Sequence, residues 1–166
     1  MTSALAEMRA AAATPDERAF ATISERTYVR FSLAPGYYEW VTVPDLEMQL
    51  TRLAKLLFVA RMKEYYKARS RDFEMEVTKE SPPVSARDHE YVRARAALAV
   101  EGVGGGGAVR IAVIGMESWA VRLEPDVKQR LDEQSFCDAV SEAATQLVTL
   151  QFAGVKELKR EIYGSQ

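Results

Sequence analysis

The chain has 166 residues, of which 48% are hydrophobic and 28% charged, and its formal net charge is −2. These values are ordinary for a globular protein with one domain, or with one domain and an extension. The slightly acidic balance excludes a protein that is basic overall, so nucleic-acid binding would need a local basic surface. No apolar run approaches the ~20 residues of a membrane span.

The chain contains a single cysteine, which excludes an intrachain disulfide and fits a reducing compartment. Its first 13 residues are alanine-rich. They lack the apolar core of a secretory signal and the basic character of a transit peptide, so we expect an uncleaved helical tail. The expected location is the cytoplasm or nucleoid, or an organellar matrix such as the mitochondrial one, and not the secretory route.

Residues 1–43 are predicted to form an N-terminal extension. The sequence from Thr14 to Glu17 is typical of a helix start and predicts a helix to about Arg26. The alternation that follows predicts a strand, Pro35-Gly36 a tight turn, and residues 37–43 a returning strand. Aromatic side chains on this hairpin are candidate anchors for docking to a protein partner. They are Tyr37, Tyr38 and Trp40.

Residues 44–166 are predicted to form the main domain, and it begins with the longest helix. Leucines at positions 46, 50, 53 and 57 form the seam of an amphipathic helix that runs to about Arg69. This seam is more typical of an ordinary core or a short helix contact than of a coiled coil.

Cations are concentrated in this helix and just beyond it. Such a set can neutralise the phosphates of DNA or RNA, or dock on an acidic protein surface. The alternative is a solvated helix end whose cations favour the helix dipole. The candidate nucleic-acid-binding residues are Arg52, Lys55, Arg61, Lys63, Lys67, Arg69 and Arg71.

An insertion is predicted near residues 71–91. Residues 72–77 alternate strictly and predict a half-buried strand, which Ser81-Pro82-Pro83 ends. The carboxylates of this strand could serve acid–base chemistry or bind a cation, but a solvated strand face is the favoured interpretation. They belong to Asp72, Glu74 and Glu76.

The last third of the chain predicts a small sheet and a helix. A strand at 97–100, which could begin as early as Tyr91, leads into the glycine run Gly102–Gly107. Strands at 109–113 and 119–123 follow, joined at Gly115, and a helix then extends to the C-terminus. No internal repeat is visible in the sequence.

The glycine run matches the pattern G-x-G-x-x-G, but its context differs from a dinucleotide site. That chemistry needs a helix directly after the loop, because the helix N-terminus holds the pyrophosphate. Here the alternating residues from Val109 predict a strand. A flexible hairpin connection is therefore the favoured interpretation, and an enzyme that binds a phosphate ligand here is the weakest of three hypotheses.

Neither His89 nor Cys137 carries a recognisable catalytic pattern. His89 is the only histidine and has no second ligand of the type that holds zinc. Cys137 has no neighbouring base in the sequence and is interpreted as a small buried residue. We therefore predict no enzyme activity, no metal site and no cofactor.

From Leu98 onward the sequence resembles the YbaB/EbfC family of nucleoid-associated proteins. The resemblance rests on the glycine-rich link at 104–107, the strand at 109–113, Gly115, the sequence Val121 to Pro125, and the alanine-rich helix at 136–144. It implies an α+β fold with a long N-terminal helix, a three-stranded antiparallel sheet and a C-terminal helix. It also implies a homodimer that binds DNA with little sequence preference.

These expectations lead to a leading hypothesis of a non-enzymatic, nucleic-acid-associated dimer. The alternative is an accessory or structural subunit of a large assembly, such as a mitochondrial one, that reuses the fold. A three-stranded sheet backed by one helix would leave apolar surface uncovered, so self-association or a larger protein assembly is expected in either case.

Overall fold

The computed structural model describes residues 8–73 and 82–164, with the backbone alone for 69–73. As predicted, the protein belongs to the α+β class and contains a long helix, an antiparallel three-stranded sheet and a long C-terminal helix. In chain order the elements are β1 (Ala10–Ala13), β2 (Ala19–Ser24), β3 (Tyr28–Leu33), α1 (Tyr37–Trp40), α2 (Val43–Phe73), α3 (Ala86–Ala96), β4 (Ala99–Gly104), β5 (Val109–Ile114), β6 (Ser118–Leu123), α4 (Val127–Arg130) and α5 (Glu133–Tyr163).

The fold consists of two structurally equivalent units. The first unit is β1-β2-β3-α1-α2, and the second is β4-β5-β6-α4-α5. Their elements are separated by 90 residues, since β2 begins at 19 and β5 at 109, while α2 begins at 43 and α5 at 133. Both long helices have 31 residues. The strand registers also agree, because Ala19 pairs with Leu33 and Val109 with Leu123.

This repeat is not visible in the sequence, because the two units have the same pattern of buried positions but mostly different residues. At the 90-residue offset given by the starts at 19 and 109, identical residues occur between 8–73 and 98–163 at four positions only. They are Leu33, Pro35, Ala54 and Leu57. The buried positions nevertheless correspond, as Leu46 and Leu50 in α2 match Phe136 and Val140 in α5. The units therefore have a common pattern of burial without a visible sequence repeat.

The two units share one core because each long helix covers strands of both. Helix α2 packs on β1 and β2 of its own unit and on β6 of the other. Helix α5 packs on β4 and β5 and on β3 in the same manner. The predicted extension at 1–43 thus contributes a complete sheet to the main core. The uncovered sheet face that made a partner necessary is consequently absent from the described part of the protein.

Helix α5 also caps two edge strands by hydrogen bonding. An edge strand otherwise leaves its N–H groups unpaired and open to association with other strands. Side chains of α5 accept hydrogen bonds from the amides of β3 and of the β4 end. The bonds run from Val29 to Thr145 Oγ1 (3.0 Å), from Phe31 to Ser141 Oγ (3.0 Å), from Val103 to Gln146 Oε1 (2.7 Å) and from Gly105 to Glu142 Oε1 (3.1 Å).

The helix predicted from Thr14 to Arg26 is wrong, because this segment contains strand β2. The Thr14 hydroxyl oxygen does not cap a helix. It accepts a hydrogen bond from the amide of Ala19 at 3.1 Å, and the hydroxyl donates to Asp16 at 2.7 Å. Thr14 is itself buried. These bonds close the β1–β2 turn, so residues with a helix-start pattern serve a strand connection instead.

The hairpin predicted around Pro35-Gly36 is also wrong. Strand β3 is confirmed, but the chain then enters the helical turn α1 at Tyr37 and continues into α2. Gly36 adopts a left-handed conformation with φ of 80° at the start of α1. Such a conformation favours glycine and directs the chain into the helix rather than back along β3.

The prediction for residues 72–100 also changes. Asp72 and Phe73 end α2, and residues 74–77 of the predicted strand lie outside the described residues. The possible strand start at Tyr91 is wrong, because this residue lies in α3, whose start is a capping box between Ser85 and Asp88. The strand predicted at 97–100 is confirmed in part, since β4 begins at Ala99. Gly102 and Gly104 belong to β4 rather than to a loop, and the connection to β5 is a tight turn at Gly105–Gly107.

We predict that Gly102→Ala lowers the free energy of unfolding by about 3 kcal/mol or more, as overpacking against a rigid neighbour does. A Cβ at this position would overlap the backbone carbonyl oxygen of Ala143 in α5. Urea denaturation followed by circular dichroism measures the loss. Gly106→Ala is the matched control, since no atom lies within 4 Å of its added Cβ. Its left-handed φ alone costs about 1–2 kcal/mol. Equal losses in the two variants would contradict the close strand–helix contact.

Candidate nucleic-acid interface

The exposed side of α2 carries a row of cations. From Met48 to Lys67 its exposed positions recur every three or four residues, which places them on one face of the helix. Four of these positions are basic, and we call them the basic stripe. No acidic residue interrupts the row between residues 48 and 67. The row consists of Met48, Arg52, Lys55, Val59, Lys63 and Lys67, of which Arg52, Lys55, Lys63 and Lys67 form the basic stripe.

The basic stripe is long and open to solvent. Arg52 and Lys67 are 15 residues apart in one helix, which corresponds to about 22 Å. Among the described residues, its one ion pair joins Lys67 to the half-buried Glu64 at 3.4 Å, and both side chains are solvent-accessible. Exposed pairs of this kind contribute little and leave the cation available. The stripe therefore offers a line of positive charge with little internal neutralisation.

Helix α5 of the second unit does not carry cations at the positions that correspond to the basic stripe. At the positions of α5 that correspond to the basic stripe, the residues are Glu142, Thr145, Ala153 and Glu157. The glutamate at 142 caps the end of β4 through the amide of Gly105. The two long helices have the same length and place in the fold, yet only α2 presents cations in this row. The stripe is thus a property of one unit and not a requirement of the fold.

Arg61 does not belong to the basic stripe, although it was predicted with it. Its guanidinium lies 4.9 Å from the ring centre of Phe152 in α5. Its Nε is buried and makes no hydrogen bond within the described structure. Burial lowers the pKa of Arg61. Its position four residues after Leu57 continues the leucine seam, and this sequence signal indicates an inward direction. Arg69 and Arg71 belong to α2, but their side chains are outside the described set.

The predicted aromatic anchors are separated by the structure. Tyr37 and Tyr38 are both 4% exposed, which corrects the expectation that they dock a partner. The Tyr38 hydroxyl donates to the carbonyl oxygen of Leu131 at 2.7 Å, and its ring stacks on Phe136. Burial raises the pKa of Tyr38 to about 12. Tyr38 joins the two units, because the α1 turn directs it into the shared core. Tyr37 accepts a hydrogen bond from Gln49 Nε2 at 3.1 Å within its own unit.

Trp40 alone of the three predicted anchors is accessible. Its side chain is 63% exposed, and its ring makes an edge contact with Tyr37 at 4.9 Å. The Arg18 guanidinium lies 5.5 Å from the indole ring. Trp40 therefore remains a candidate contact residue.

The remaining candidates for chemistry occupy unremarkable surroundings. His89 is exposed on α3, and Cys137 is buried under the first sheet. Burial raises the pKa of the Cys137 thiol to about 11, which opposes formation of a nucleophilic thiolate. Within residues 8–73 and 82–164, no group of three or more acidic, histidine or cysteine side chains is placed to hold a metal. The turn at Gly105–Gly107 leads into β5 and so opens no helix for a phosphate.

Comparisons with protein-family models, curated proteins and solved structures each found no match to this chain. The resemblance to the YbaB/EbfC family therefore stays a prediction. None of the helices within the described ranges combines the length and apolar character needed to cross a membrane.

We predict that Cys137 reacts slowly with a thiol reagent such as 5,5′-dithiobis(2-nitrobenzoate) in the native protein. The raised pKa, about 11 instead of 9.0, lowers the thiolate fraction by roughly a hundredfold at mildly alkaline pH, and burial restricts access further. Absorbance of the released thiolate measures the rate. The same protein in denaturing urea is the control and should react rapidly at its single cysteine. Equally fast reaction of the native protein would refute the buried, protonated thiol.

Proposed function

We propose that this is a non-enzymatic protein that binds nucleic acid through the basic stripe of α2. The supporting observation is the row of exposed cations on one helix face, in a chain whose net charge is −2. Lysine and arginine at such a surface neutralise phosphates and release condensed counterions. Contacts of this kind read the nucleic-acid backbone rather than the base edges. Binding with little sequence preference is the expected behaviour.

The proposal does not depend on a homodimer. The expected need for self-association came from a single sheet backed by one helix. In this chain the second unit supplies a further sheet and helix, and α2 and α5 cover strands of both units. The proposed binding unit is accordingly the monomer, and its mass in solution can be measured by light scattering.

We predict that neutralising the basic stripe abolishes most of the affinity for duplex DNA. The variant carries Arg52→Gln, Lys55→Gln, Lys63→Gln and Lys67→Gln. If all four cations contact phosphates, a plot of log K against the logarithm of the salt concentration should have a slope of about −3 to −4 for the native protein. The slope for the variant should be close to zero. Fluorescence anisotropy of a labelled duplex of arbitrary sequence, titrated at several salt concentrations, measures both quantities.

The matched control removes the same charge from other exposed positions. It carries Arg93→Gln, Arg122→Gln, Arg130→Gln and Lys156→Gln, none of which lies on α2. This control should retain the affinity and salt slope of the native protein, and all variants should keep the native circular dichroism spectrum. An equal loss of binding in the control would show that net charge, not the stripe, is responsible. Absence of binding to duplex and single-stranded probes at low salt would end the proposal.

A second candidate function is that of an accessory subunit in a larger assembly. The observation in its favour is the 63% exposure of Trp40, a residue type that is enriched at the centre of protein interfaces. The native mass of the protein purified under mild conditions distinguishes the two. A stoichiometric complex that Trp40→Ala dissociates would support the second candidate, whereas a monomer with no bound partner would oppose it.

A further inference from the structure

A cavity of about 80 Å³ lies where the two units meet, between the sheets and the two long helices. Its deep wall consists of buried residues from both units, such as Val29, Leu53 and Ile111. Its outer wall consists of half-buried residues that include Met116 and Trp119. The cavity therefore passes from the shared core towards solvent, and both units are needed to form it.

Arg61 is the one charged residue among the described residues that line this cavity. The described lining residues are otherwise uncharged, and nearly all are aliphatic or aromatic. The Nε of Arg61 is buried and has no hydrogen-bond partner in the described structure. A buried donor that makes no hydrogen bond is unfavourable, and more so when the group is charged. The arginine is held beside the cavity by its contact with Phe152 at 4.9 Å.

Water is a poor partner for the buried Nε of Arg61, although the side chain as a whole is half-buried. An ordered internal water needs two to four polar partners, and cavities with apolar walls tend to stay dry. The cavity wall offers the guanidinium and very little else that is polar. An anion that carries its own apolar group suits both the charged Arg61 and the apolar cavity wall. Its charged end meets Arg61, and its apolar end displaces no well-bound water.

We propose that this cavity binds a small amphipathic anion, with the aliphatic end in the cavity and a carboxylate that accepts hydrogen bonds from Arg61. The volume limits the size of the buried part. An apolar cavity of about 150 Å³ accommodates benzene, so about half that volume takes a few methylene groups. The rest of a longer chain would lie along the half-buried outer wall, beside Trp119 and Met116. This inference is independent of the proposed nucleic-acid binding.

Octanoate is the probe for this site, and Trp119 is the reporter. The chain has two tryptophans, and the Trp40→Phe background removes the exposed one. Octanoate, used below its micellar concentration, should produce a saturable change in Trp119 fluorescence. Hexanoate should bind more weakly, since each buried methylene strengthens binding by about fourfold. Acetate should have no effect in the same concentration range.

Two variants separate the charge from the volume. Arg61→Met keeps a flexible side chain without the charge. It should weaken the binding of octanoate by about tenfold or more, whereas the affinity for octan-1-ol should change little. Ala54→Leu enlarges a lining residue and should weaken the binding of both probes. Arg52→Gln, on the exposed face of α2, is the matched charge control and should bind octanoate like the Trp40→Phe parent. Thermal denaturation confirms that each variant is folded.

Several results would overturn the proposal. A fluorescence change that does not saturate in the parent protein would show that the cavity takes no amphipathic anion. Equal octanoate affinity in the parent and in Arg61→Met would show that the arginine does not hold the carboxylate. Undiminished binding in Ala54→Leu would place the ligand outside the cavity. Retained DNA binding in any of these cases would leave the proposed function of the basic stripe unaffected.

Discussion

The fold depends on the way each long helix covers strands from both units. A sheet of three strands with one helix leaves part of its apolar surface uncovered. In this protein α2 extends across to β6 and α5 across to β3, so each sheet has a second helix. The close approach of α5 to β4 at Gly102 and Gly104 belongs to the same arrangement. Neither unit would keep its inner face covered without the other.

Local sequence patterns were sufficient to predict the elements in which those patterns are strong, namely β3 and α2. The alternation from Val29 to Leu33 predicted β3, and the leucine seam predicted α2. The prediction was wrong where a local signal had two possible uses. Thr14-Pro15 has the form of a helix start, but the Thr14 hydroxyl oxygen accepts from the amide of Ala19 and closes a strand turn. The choice depends on tertiary pairing with β1 and β3, which single-sequence patterns do not contain.

The structural repeat and the buried tyrosines could not be predicted for related reasons. Conserved burial without conserved residues leaves no detectable repeat, because a leucine in one unit corresponds to a phenylalanine, valine or alanine in the other. Tyr37 and Tyr38 look like exposed anchors as long as their segment is taken for a hairpin. The basic stripe was predictable, since spacing by three and four residues determines a helix face. Arg61 was placed among the nucleic-acid-binding cations, although its position four residues after Leu57 continues the seam and indicates an inward direction.

The presence of two such units in one chain has a consequence for the distribution of charge. A homodimer built from identical subunits must present every cation twice, related by its symmetry axis. Two units in one chain are free of that constraint. Here α2 carries Arg52 and Lys67 where α5 carries Glu142 and Glu157, so the two long helices present opposite charges at these equivalent positions. A polyanion would therefore be attracted to these positions of α2 and repelled at their counterparts in α5, which identical subunits could not achieve.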